Sequence, residues 1–166
     1  MLRLLFEAAE RIYHIDARAT IRWTCMMCDF ESPEMNAVQE VALEELHRPV
    51  FEIEGCHMHY CSAIIKHVKH VGLTSAYKLE ASGLRKFISQ LFSLAFAPPE
   101  MIPAIYFEMK SQLDPDMLLH PCMVAFFEYY ENQWIYNPNL PVQKWSVYRR
   151  IDSSYRTDND LEGVHR

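Results

Sequence analysis

Two carboxylates stand where an α/β fold tends to expose chemistry. Asp29 closes "ATIRWTCMMCDF", which is β-branched and aromatic at Thr20, Ile21, Trp23 and Thr24 and then continuously apolar through Met26, Met27 and Cys28. Such a run reads as a buried strand with an acid at its C-terminal end. Glu162 lies in "RTDNDLEGVHR", Arg156 to Arg166. That segment is a polar helix start in which Asp158 or Asn159 caps and the Glu sits near the positive end of the dipole. Brought together, two such acids would bind a hard divalent cation through oxygen, as Mg2+ sites do with one or two carboxylates plus phosphate oxygens. Each also has a plainer reading, Asp29 as a turn residue capping the next helix and Glu162 as a solvated acid.

Softer ligands are present too. Cys56-x-x-His59 in "GCHMHYC" has the spacing of half a zinc site, and Cys25-x-x-Cys28 could supply the other half. Residues three apart on a strand face opposite sides, however, so Cys25 and Cys28 grip one ion only if the strand bends. His57, His67 and His70 offer other combinations, none of them closed. Structural zinc is therefore not the expected cofactor. Cys56 and His59 could also pair as nucleophile and base, but no group orients the base, and buried cysteine commonly serves as a small hydrophobe. Lys66, Lys69, Arg85 and Lys86, with Lys144, Arg149, Arg150, Arg156 and Arg166 farther on, form the nearest thing to a basic patch. Their plainer reading is solvated helix faces.

The elements that must position these groups follow from periodicity and caps. "MLRLLFEAAERIY" spaces Leu2, Leu5, Phe6, Ala9 and Ile12 for an amphipathic helix that starts without a cap, so its first residue looks like an arbitrary boundary. After the Asp29 strand, Ser32 and Pro33 make an N-cap and first-turn pair for a helix with Met35, Val38, Val41, Ala42 and Leu46 on one face. "RPVFEIEG" then supplies Val50, Phe51 and Ile53 for a second strand. Strand, helix and strand in that order form a βαβ unit, which implies parallel pairing. A helix from Cys56 to about Val71 ends at Gly72, a plausible residue just past a C-cap, with basic residues gathered at its end. From Ser82 the pattern is helical, with a stripe of Leu84, Phe87, Ile88, Leu91, Phe92 and Ala95 stopped by "APPE". Further helices are expected from near Pro99 and from about Pro115 to Tyr130. "NQWIYNPNLP" suggests a short strand or irregular loop around Trp134 to Tyr136, and "VQKWSVYRR" one more short helix.

With 166 residues, half of them hydrophobic, the chain suffices for one ordinary domain. Four glycines and no low-complexity run argue against a flexible tail. The net charge of −6 would repel a polyanion on average, so contact with nucleic acid needs a local patch or metal ions. Five cysteines, an odd number, give no disulfide framework, and Glu7 and Glu10 interrupt the first apolar run. A nuclear or cytoplasmic protein, not secreted and without a membrane span, is the expectation.

Taken in order, "CDFESPEMNAVQEV", "GCHMHYCSAI", "LFSLAFAPPE", "FFEYYENQWI", "KWSVYRR" and "RTDNDLEGVHR" resemble the Mutator-like (MULE) transposase domain over nearly the whole chain. The resemblance implies an RNase H-like core in which two Asp and one Glu hold two Mg2+ or Mn2+ ions for DNA strand cleavage and transfer. Asp29-Phe30-Glu31 matches the family's second-acid motif. The third-acid motif, Arg-Thr-Asn-Asn-x-x-Glu-Gly-Trp-His, is matched from Arg156 to His165, with Asp158 in place of Asn and Val164 in place of Trp. Asp29 and Glu162 would thus be the catalytic metal ligands, DNA the partner, and Cys56, His59, Asn159 and His165 supporting motif residues.

The resemblance also implies a partial domain. Residues 1–72 would hold the βαβ part of the core, 73–150 a helical insertion and 151–166 the start of the helix carrying the last acid. The family's first Asp lies in an Asp-Gly-Thr-Phe-like stretch that this sequence lacks, and Asp16 follows "YHI" in a connection where it cannot substitute. The first three core strands would be absent too, leaving about two strands with an exposed edge. Two of three acids bind at least one ion poorly, so strand transfer by this chain alone is not expected. The alternative is a non-catalytic, transposase-derived module that binds DNA or protein. A third reading is a small interaction domain stabilised by zinc on Cys25, Cys28, Cys56 and His59.

Overall fold

The computed structural model describes residues 25–30, 32–44, 52–80 and 82–150, together with Glu7 and Arg11, both helical and exposed. The rest of the expected first helix, and the whole segment from Arg156 to Arg166, lie outside the described residues. Contacts divide the chain into two compact units, 1–54 and 55–166.

In the first unit, strand β1 (Cys25–Cys28) leads through Asp29 and Phe30 into helix α1 (Ser32–Glu44), and strand β2 (Glu52–Gly55) follows. The strands pair in parallel as a two-stranded sheet. Strand–helix–strand order favours this pairing because parallel neighbours need a long crossover. Helix α1 starts at the Ser32-Pro33 pair, where a proline sacrifices no hydrogen bond. It buries Met35 and Val38, three apart on one face, and leaves Leu43 exposed. In β2, Ile53 is buried and its neighbour Glu52 exposed, the alternation of a half-covered strand.

From His57 on, the regular elements among the described residues of the second unit are all helical. Helices α2 (His57–His70), α3 (Thr74–Lys78) and α4 (Gly83–Leu94) are followed by a 3-10 turn, Pro99–Met101, and by α5 (Ile102–Ser111), α6 (Pro115–Leu119) and α7 (Pro121–Tyr130). A π turn, Glu131–Ile135, continues α7, and α8 (Val142–Trp145) precedes a last 3-10 turn, Tyr148–Arg150.

Helix α2 stops where its sequence indicates. Gly72 takes φ 83°, its N–H donates to Lys69 O at 3.1 Å, and Leu73 N–H reaches back to Val68 O at 3.0 Å. This pair of bonds satisfies the last carbonyls, and Leu73 and Val68 are both buried beneath it. Helix α4 is capped by Ser82, whose Oγ accepts from Arg85 N at 3.1 Å, and it buries Leu84, Phe87, Ile88, Leu91 and Leu94.

The single helix expected over Pro115–Tyr130 is two. His120 is extended, with ψ 127°, because Pro121 disfavours helical geometry in the residue before it and has no N–H to donate. Each half is capped by the residue before its proline: Asp114 Oδ1 accepts from Asp116 N at 2.9 Å, and His120 Nδ1 from Cys122 N at 3.3 Å. The strand or loop expected around Trp134 is also absent. There the helix widens by one residue, with Tyr136 N–H donating to Glu131 O at 2.8 Å. Glu131 anchors the widened turn, since its Oε1 accepts from Tyr106 OH at 2.9 Å and from Lys110 Nζ at 2.7 Å. The turn delivers Trp134 to the core.

That core is aromatic. Tyr60 stacks on Trp145 at 4.9 Å and 12°, with Trp134 edge-on to Tyr60 at 4.8 Å. Tyr60 OH donates to Leu91 O at 2.9 Å and lies 2.7 Å from Tyr130 OH, so both buried hydroxyls are satisfied. Burial first, and then the neighbouring phenol, pushes the Tyr60 pKa well up, which keeps it neutral. Among the described residues no helix is long and apolar enough to cross a membrane.

Candidate functional site

Asp29 follows the last residue of β1 directly, half-buried, three residues before Ser32, which opens α1. The C-terminal end of a parallel strand beside a helix start is where α/β sheets commonly take ligands. The carboxylate there is a hard oxygen donor of the kind Mg2+ and Mn2+ accept. Glu162, Asn159 and His165 lie outside the described residues.

Cys56 and His59 belong to the second unit, at the first turn of α2. Cys56 occupies the N-cap position with φ −72° and ψ 124°, and its carbonyl accepts from Tyr60 N at 3.0 Å. Its thiol makes no capping bond and is fully buried, while His59 is half-buried. A fully covered thiol is not open to a substrate arriving from solvent.

The Cys and His that do meet are Cys61 and His57, one helical turn apart, with Sγ 3.6 Å from Nε2. That Nε2 also lies 3.1 Å from the Phe92 carbonyl, a pure acceptor, so it carries a proton and cannot take one from the thiol. Burial, and next the neighbouring Cys56 thiol, pushes the Cys61 pKa up to about 11. Cys61 is therefore protonated at neutral pH and a poor nucleophile. Cys28, Cys56, Cys61 and Cys122 are all thiols. Among the described residues, no three His, Cys, Asp or Glu side chains gather around one point where a metal ion could sit.

The basic residues divide. Lys66, Lys69, Lys86 and Arg149 are exposed, and Arg85 pairs with Glu80 at 3.7 Å on the surface. Arg150 departs from the solvated-face reading, since it is only 7% exposed and its Nη2 donates to Gly55 O at 3.0 Å and Ser146 O at 3.4 Å. Gly55 ends β2 and precedes the α2 cap, so this guanidinium ties residue 150 to the start of α2. The sequence carries no local sign of it, because the carbonyl it serves is 95 residues away.

No protein-family profile matches the chain, and no curated protein or solved structure shows significant similarity to it.

His67, which the sequence offered only as one of several open ligand combinations, takes a different place. Its ring stacks on Tyr129 at 3.6 Å and 13°, and its Nε2 is covered without a hydrogen-bond partner. Burial lowers its pKa, His70 at 5.5 Å lowers it further, and the Ala125 carbonyl opposes both. The other charged groups on the two packed helices, Lys66, Lys69 and Glu128, are exposed. A histidine whose folded pKa lies below its unfolded value, about 6.5, binds fewer protons in the folded state. Its contribution to stability is complete above about pH 6.5 and is lost as pH falls through the folded pKa. Urea unfolding at pH 7.5 and pH 5.0 is expected to show a lower midpoint at pH 5.0, with a smaller difference in His67→Phe. An unchanged difference in the variant would remove His67 as a cause.

Proposed function

We propose that the chain is a transposase-like domain of the Mutator type, with an RNase H-like core and with Asp29 and Glu162 as ligands for Mg2+ or Mn2+ bound against DNA in the nucleus. The observation that carries this reading is the position of Asp29, immediately beyond a parallel strand and ahead of a helix in a βαβ unit. A metal-dependent strand transferase needs a hard carboxylate at such a strand end, and the metal would polarise a phosphate and generate a nucleophile. The acidic chain, with its net charge of −6, suits a site where cations mediate contact with the phosphate backbone.

With no Asp-Gly-Thr-Phe-like stretch to supply a first acid, the chain by itself does not complete strand transfer in this reading. Its test is DNA binding with and without a divalent cation. Retention of duplex DNA should strengthen when Mn2+ is added, and that gain should vanish in Asp29→Asn and in Glu162→Gln. DNA binding that ignores both the metal and the substitutions would leave the non-catalytic binding module. Mn2+-dependent nicking by the chain alone, lost in Glu162→Ala, would show that two acids suffice.

A further inference from the structure

A pocket of about 550 Å3 opens in the second unit where the α2–α3 turn, the start of α4 and the α6–α7 break come together. Its size lies in the range of small-molecule sites, roughly 300–1,000 Å3. The floor is apolar, made of Leu73, Leu84 and Met123, all almost fully buried, with Met117 as a flexible wall. Met117 Cε sits 3.3 Å from where a Cβ on Gly83 would lie, so this wall packs closely over the α4 start. Unbranched methionines at a pocket let it adapt to an occupant.

The rim has one sign of charge. Asp114 and Asp116 line it, and neither Lys nor Arg does. Asp114 is engaged in capping α6. The Asp116 carboxylate is exposed, with no hydrogen bond or ion pair to any described side chain. His120, also on the rim, spends its Nδ1 on Cys122 N. The nearest part of α4 offers no compensation, because Arg85 is turned to Glu80. Low-dielectric walls under an uncompensated carboxylate favour a cation above them, and the floor favours an apolar stem.

We infer that this pocket binds a small amphiphilic cation, an ammonium head on an apolar stem of about six carbons, with the stem on Leu73, Leu84 and Met123 and the head at Asp116. The inference is independent of the transposase reading, since it uses neither Asp29 nor Glu162.

The probes are n-hexylammonium, hexan-1-ol and hexanoate, titrated into the whole 15N-labelled chain and followed by NMR. A ligand this small binds on the order of millimolar. Hexylammonium should bind more tightly than hexanol and hexanoate most weakly, with shifts concentrated in residues 72–76, 84 and 114–123. Asp116→Asn, a change at an exposed position that is not the α6 cap, should weaken hexylammonium roughly two- to five-fold, the size of an exposed ion pair, and leave hexanol unchanged. Ser75→Trp, at the exposed rim, should block both. Equal binding of hexanoate and hexylammonium, shifts outside those residues, or no saturable binding by a chain whose spectrum shows it folded would overturn the inference.

Discussion

Trp145→Ala is expected to cost the helical unit about 3–5 kcal/mol, the range for emptying a buried aromatic site. The indole is fully buried, stacks on Tyr60 at 4.9 Å and meets Trp134 edge-on at 5.9 Å. Its Nε1–H donates to Trp134 O at 3.0 Å, a carbonyl in the widened turn after α7. Truncation thus opens a cavity and removes a bonding partner from a buried carbonyl together. Against a domain stability of roughly 5–15 kcal/mol, the loss is about a fifth of the total or more. Urea unfolding followed by circular dichroism measures it without relying on the tryptophan that was removed. A loss below about 1 kcal/mol, the cost of a surface change, would mean that Trp145 does not hold this core.

Arg150→Ala is expected to cost about 2–4 kcal/mol, because it strips the donor from two buried carbonyls, Gly55 O and Ser146 O. The Gly55 carbonyl lies immediately before the α2 cap, so the loss should be felt at that helix start as well as in the segment around Ser146. Ser146 is itself fixed there, its Oγ donating to Ala95 O at 3.2 Å and Ala97 O at 3.1 Å. Arg150→Lys should recover only part of the loss, since one ammonium cannot copy a planar fork. Hydrogen exchange at Tyr60 and Cys61, in the first turns of α2, should quicken in Arg150→Ala relative to Val68. Equal protection in the variant and the parent would separate Arg150 from the helix start.

Much of this fold is legible locally. The bounds of α2 follow from Gly72 and the basic last turn, the face of α4 from its apolar spacing, and parallel pairing from element order alone. The break at His120 is written in Pro121 but is masked by the apolar run on either side, which reads as one periodic stripe. Helix α3, at five residues, is too short for periodicity to register. The widened turn at Glu131 depends on two partners, Tyr106 and Lys110, more than twenty residues earlier. Burial of Arg150 is likewise a tertiary event that composition disguises as surface charge.

For the candidate site, the place of Asp29 at a strand end was readable from the apolar run before it. The role proposed for Glu162 was not, because a polar acidic stretch has the same composition whether or not it holds a metal, and only the likeness of "RTDNDLEGVHR" to a family motif picks it out. Cys56-x-x-His59 was readable as a spacing, but the burial of its thiol under the first turn of α2 was not.

The most direct measurement is the affinity of the whole chain for Mn2+, read from the loss of the free-ion signal in electron paramagnetic resonance. If Asp29 and Glu162 share an ion, Asp29→Asn and Glu162→Gln should each weaken binding by about tenfold or more, with circular dichroism unchanged. Binding of equal strength in the parent and both variants, or none in the parent, would contradict a metal site on these two carboxylates.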